Sequence, residues 1–80
     1  MKELNYFHIA MNNDIPIEDL RIIRIRDVIA LTGLSRSAIY AAVKTGTFRR
    51  QVKLSARSSG WLRGEVVQWV MDRPRSQGRD

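Results

Sequence analysis

Apolar residues recur at helical spacing on both sides of a tight turn in the stretch RDVIALTGLSRSAIYAAVKTG, from Arg26 to Gly46. Val28, Ile29 and Leu31 supply the apolar side of a first helix. Asp27 begins that helix, where a carboxylate suits the positive end of the helix dipole. Gly33 is its stop, because glycine takes the left-handed conformation that ends helices. Leu34 plugs the turn, and Ser35 is the N-cap of a second helix. Ile39 and Val43, with Ala38 and Ala42 beside them, form the buried stripe of that second helix, and Gly46 ends it. Arg36, Ser37, Tyr40, Ala41 and Lys44 are left facing out.

The flanking segments have different periods. Arg21–Arg26, RIIRIR, is rich in β-branched residues and predicts a short strand leading into the first helix, with Ile23 and Ile25 on one face. Thr47–Arg50 is a connector anchored by Phe48. Gln51–Leu54 alternates polar and apolar and predicts a half-buried strand. Ser55–Gly60 has the composition of a turn, and Trp61-Leu62 returns as a second strand. From Glu65 to Asp72 a last helix carries Val66, Trp69 and Val70, in phase with Leu62, and Arg73-Pro74 closes it. Trp61 and Trp69 are large apolar surfaces that a small core needs. Residues 1–20 read as an N-terminal arm: Leu4, Phe7 and Met11 share helical spacing, but Asn12-Asn13-Asp14 and Pro16 interrupt it. Residues 74–80 have nothing to bury and are expected to be a disordered tail.

The predicted fold is therefore mainly α with a small β-hairpin, in one domain over residues 21–73. Two short helices across a tight turn, the second with an outward polar face, make a helix-turn-helix, whose second helix seats in the major groove of DNA. The hairpin that follows makes it a winged helix-turn-helix.

Charge sharpens this reading. The 80-residue chain carries a net charge of +6. Residues 21–63 hold ten Lys and Arg against Asp27 alone, whereas residues 1–20 hold one Lys against four acids. The positive charge thus coincides with the helix-turn-helix and hairpin, where it attracts polyanions. The chain has no cysteine and one histidine, His8, and its acids are scattered. That composition argues against a disulfide framework, a usual metal-ligand set or a general acid–base pair, so no enzyme activity, metal or cofactor is expected. No apolar run has the length of a membrane span, and no membrane association is expected. The expected location is cytoplasmic, associated with the nucleoid.

Candidate DNA-binding residues fall in two groups. On the second helix, Arg36 has a guanidinium suited to bond guanine O6 and N7 together. Ser35 and Ser37 suit phosphates or base edges, Tyr40 a phosphate or a thymine methyl, and Lys44 the backbone. On the hairpin, Lys53, Arg57 and Ser58 would meet a phosphate strand or the minor groove. Arg49 and Arg50, between the two, would neutralise phosphates without reading sequence. Ser35 has a sufficient role as a cap, Tyr40 a possible place against Phe48, and Arg57 a place in a solvated turn. Arg24 and Arg26 are weaker candidates on an exposed face.

The run TGLSRSAIY at Thr32–Tyr40 is followed by Lys44, Gly46, Phe48, Val52-Lys53-Leu54, Gly60-Trp61, Glu65-Val66 and Trp69. In this order and spacing the chain resembles the AlpA-type prophage regulatory proteins, which are related to excisionases and to the DNA-binding domain of the MerR family. The resemblance covers about residues 21–73. It implies a winged helix that binds double-stranded DNA near prophage or genomic-island genes and regulates the transcription of an integrase. The alternative it leaves open is a directionality factor acting directly on attachment-site DNA. RNA polymerase, an integrase, or further copies of the chain in a homodimer or cooperative multimer are the protein partners such roles imply. A non-enzymatic structural or adaptor module is the remoter reading. Gly64 departs from what the first turn of a helix favours and predicts a loose start to the last helix. Residues 1–20 inherit nothing from the resemblance.

Overall fold

A computed structural model describes residues 16–76; the Leu4, Phe7 and Met11 spacing, His8 and the last four residues of the expected tail lie outside them. A 3-10 turn at Ile17–Leu20 leads into strand β1 (Ile22–Ile23) and helices α1 (Ile25–Thr32) and α2 (Arg36–Thr45). Strands β2 (Val52–Ser55) and β3 (Ser58–Leu62) form a hairpin, and helix α3 (Arg63–Met71) completes the order. Three helices thus accompany a three-stranded antiparallel sheet in the order β1-β3-β2, with Ile23 opposite Trp61 and Val52 opposite Gly60. This is a winged helix-turn-helix.

The core draws one side chain from almost every element. Ile23 of β1, Val28 of α1, Ile39 of α2, Phe48 of the connector, Trp61 of β3 and Val66 of α3 are buried together. Ile25, Ile29, Leu34, Ala42, Val43 and Trp69 pack around them. Strand β2 contributes nothing to this cluster: all four of its residues are exposed. Val52 and Leu54 retain 39% and 45% of their accessible surface, so the strand expected to be half-buried stands free of the core.

The turn between α1 and α2 forms as its residues dictate. Gly33 takes a left-handed φ of 77° and ends α1. The Ser35 hydroxyl accepts the Ala38 N–H at 3.1 Å and caps α2. Thr32 adds a brace: its hydroxyl donates to the Val28 carbonyl at 2.8 Å and accepts the Leu34 N–H at 3.1 Å. At the far end Gly46, with φ 83°, closes α2.

Five further expectations require correction. The strand expected over Arg21–Arg26 is only two residues long. The Arg24 carbonyl already accepts the N–H groups of Asp27 and Val28, at 2.9 and 3.0 Å, so α1 begins at Ile25 rather than Asp27. The helix claims these β-branched residues because Ile25 and Ile29, one turn apart, both pack on the core. Leu31, expected on the apolar side of α1, is 36% exposed.

The expected turn Ser55–Gly60 shrinks to Ala56-Arg57, because Ser58, Ser59 and Gly60 are strand. A Cβ at Gly60 would lie 2.5 Å from Ile22 Cγ2 and 2.7 Å from the Ile23 carbonyl, so only glycine lets β3 lie this close to β1. Gly64 has a similar reason. Its α-carbon abuts Asp19, where an added Cβ would come within 3.0 Å of Asp19 Cβ and of its carbonyl oxygen. The start of α3 is consequently fastened rather than loose. The Arg63 N–H donates to the Arg21 carbonyl at 2.8 Å, and the Arg63 guanidinium pairs with Asp19.

Candidate nucleic-acid interface

Helix α2 presents five exposed residues in succession around one side: Arg36, Ser37, Tyr40, Ala41 and Lys44. At 3.6 residues per turn, Ser37, Ala41 and Lys44 form the outermost ridge, with Arg36 and Tyr40 along one flank. The Tyr40 ring centroid lies 6.1 Å from that of Trp61 in β3, so this flank turns toward the sheet. Tyr40 packs on Trp61 rather than on Phe48 and stays 41% exposed, with the ring supported at one side and open at the other. Ala41 leaves the centre of the ridge low, which allows close approach of a large partner.

The connector is held from beneath by indole groups. Trp61 Nε1 donates to the Arg49 carbonyl at 3.0 Å and Trp69 Nε1 to the Thr47 carbonyl at 2.9 Å. Phe48 sits between the two rings, edge-on to both, with centroids 6.4 Å from Trp61 and 4.8 Å from Trp69. The tryptophans thus act in the core and at the same time fix the path of the backbone from α2 to the wing. An open groove separates the end of α2 from β2, lined among others by Lys44, Phe48, Arg50, Val52 and Trp69.

Ion pairing divides the basic residues into two sets. Arg21 pairs with Glu18 at 3.3 Å, Arg63 with Asp19, and Arg49 with Glu65. The acids come from the 3-10 turn and from α3. Arg49, expected to meet phosphate, is therefore partly neutralised by an acid that the sequence places sixteen residues away. Arg36, Lys44, Arg50, Lys53 and Arg57 make no side-chain ion pair or hydrogen bond among the described residues, and all five are exposed. Unpaired positive charge thus covers α2, Arg50 of the connector and the wing, and among the described residues Arg24, Arg26, Arg73 and Arg75 also lack an ion-pair partner.

Of the two expected serine contacts beside Arg36, Ser35 spends its oxygen on the cap while Ser37 is free and exposed. Ser58 is half-buried, and its hydroxyl oxygen accepts a bond from Arg24 Nη1 at 3.1 Å. Arg24, read from the sequence as an exposed strand-face residue, is joined to the wing, a relation between positions 34 residues apart that no local pattern announces. Among the described residues no group of His, Cys, Asp or Glu side chains is placed to hold a metal ion, and no helix is long and apolar enough to cross a membrane.

A capped second helix with an unpaired cationic face, beside a basic hairpin on a common core, defines the winged helix-turn-helix class. The chain belongs to the family described as prophage CP4-57 regulatory protein (AlpA), whose model matches residues 21–74. Uncharacterized protein ORF88 of Enterobacteria phage P4 is 39% identical to it over 61 residues, 72% of this chain and 69% of that protein. The DNA-binding transcriptional activator AlpA of Escherichia coli (strain K12) is 32% identical over 60 residues, 68% of this chain and 86% of its own length. No solved structure matches the chain.

Proposed function

We propose that the protein is a DNA-binding transcriptional regulator of prophage genes that recognises a specific double-stranded site. The observation that carries this reading is the charge on the exposed faces: Arg36 and Lys44 of α2 and Lys53 and Arg57 of the wing are exposed and without an ion-pair partner among the described residues. Membership of the family and similarity to an activator that binds DNA support it. In this reading α2 enters the major groove, Arg36 bonds a guanine edge with both arms, and Ser37 and Tyr40 contact neighbouring bases or phosphates. Lys44, Arg50, Lys53 and Arg57 neutralise phosphates on either side of the groove between α2 and β2. Ser35 caps, and Arg49 contributes through its position on the connector.

Regulation of integrase expression and direct action at an attachment site both use the same winged helix. Footprinting on the DNA around the gene separates them, since protection upstream of a promoter marks a transcription factor and clustered sites within an attachment region mark a directionality factor. The DNA-binding reading itself is tested by titrating labelled duplex at several salt concentrations. Each phosphate contact contributes about 0.9 to the slope of log affinity against log salt, so four such contacts give a slope near −3.6. A flat salt dependence would remove the nucleic acid from the account and favour a protein adaptor.

A further inference from the structure

The core holds the wing through β3 alone, by Trp61, because β2 buries no side chain. The hairpin is attached through β3, which pairs with β1 over only two residue pairs, Ile22 with Leu62 and Ile23 with Trp61. One more connection exists. Arg24 Nη1 donates to Ser58 Oγ at 3.1 Å and to the Ser59 carbonyl at 2.8 Å. The stem of Arg24 crosses the strand over Gly60, with Cδ 3.6 Å from the place a Cβ would occupy there. The backbone of the same residue belongs to the helix-turn-helix, since its carbonyl accepts the first N–H groups of α1. A single side chain therefore ties the start of the first helix of the helix-turn-helix to the end of the wing next to its turn.

We propose that Arg24 is a positioning residue that fixes the wing relative to α2, so that both meet one DNA site without first being ordered. The proposal rests on the reading that α2 and the wing bind DNA together. A guanidinium is suited to this because both hydrogens of one nitrogen leave in fixed directions, one to each acceptor, and an ammonium on a flexible stem does not reproduce that geometry. By accepting from Arg24, Ser58 keeps its own hydroxyl hydrogen to donate outward, toward a phosphate. A wing fixed in advance costs little ordering entropy on binding, whereas a released wing pays that cost at each encounter.

The test compares the full chain with its R24A, R24K, R57A and R24A/R57A variants. Thermal unfolding first confirms that each is folded; duplex affinity and backbone 15N relaxation of the free protein are then measured. R24A is expected to bind about tenfold more weakly while keeping the same preferred sequence, as loss of a charge-assisted hydrogen bond would produce. R24K, which keeps the charge, is expected to recover little of that loss. The amides of Ser58 and Ser59 should become more mobile in R24A, with those of α2 unchanged. The double variant should bind no worse than roughly the weaker of the two single variants, because a released wing has already lost the use of Arg57. Full recovery by R24K, additive losses in the double variant, or unchanged wing relaxation would each overturn the positioning role. If R57A weakens binding and R24A does not, Arg24 alone is misassigned; if R57A binds like the wild type, the wing does not take part and the proposal falls with it.

Discussion

Arg36 stands in the first turn of α2, exposed and without an acidic partner among the described residues. Its truncation to alanine is expected to cost about 1–3 kcal/mol of binding and to relax preference at one base pair, measured by titration against duplexes varied at that position. Retention of both affinity and preference would assign base reading to Ser37 or Tyr40 instead. Arg57 is expected to behave differently: R57A should weaken binding to all duplexes alike and reduce the salt slope by about one unit. Ser35 tests the fold rather than the contact. Because its oxygen is committed to the Ala38 N–H, S35A should lower unfolding free energy by about 1 kcal/mol in denaturant titrations without DNA. These roles were legible at the residue level wherever they are local. Gly33, Ser35 and Gly46 act within a few positions of themselves, so their types announce them. Arg24 and Arg49 were not legible, because what they do depends on Ser58, Ser59 and Glu65, brought near only by folding.

Elements whose character depends on distant partners were the ones misjudged from the pattern alone. The RIIRIR segment has the composition of a strand, yet helix α1 takes it from Ile25 onward because core packing outweighs a modest β preference. Ser58-Ser59-Gly60 has the composition of a turn, yet these residues run as strand between β1 and β2. At Gly60 the absence of a side chain is required by the close approach of Ile22 and Ile23, and turn chemistry is not involved. G60A is accordingly expected to destabilise the protein by about 1–3 kcal/mol, as overpacking does, with a lowered thermal midpoint as the readout. An unchanged midpoint would mean that β1 and β3 can separate at no cost. Helix α2, by contrast, has both ends and both faces written locally, and its inner stripe and outer residues fall as the spacing predicts.

Across the whole molecule, one small core serves two tasks. It takes a buried residue from each helix and from β1 and β3, and Trp61 in it and Trp69 against it also hold the connector that joins α2 to the wing. The acids of the 3-10 turn and α3 pair with Arg21, Arg63 and Arg49, while the cations of α2 and of the wing stay unpaired among the described residues. A single helix and wing make few base contacts, which is a weak address in a genome, so repeated or inverted sites filled by several copies are expected. The account is tested most directly by selecting bound duplexes from a random pool with the wild-type chain and with R36A. The expected result is a short shared motif for the wild type, containing a guanine whose enrichment disappears in R36A while the flanking preference persists. Recovery of no motif by the wild type, or of the same motif by both proteins, would contradict recognition through α2.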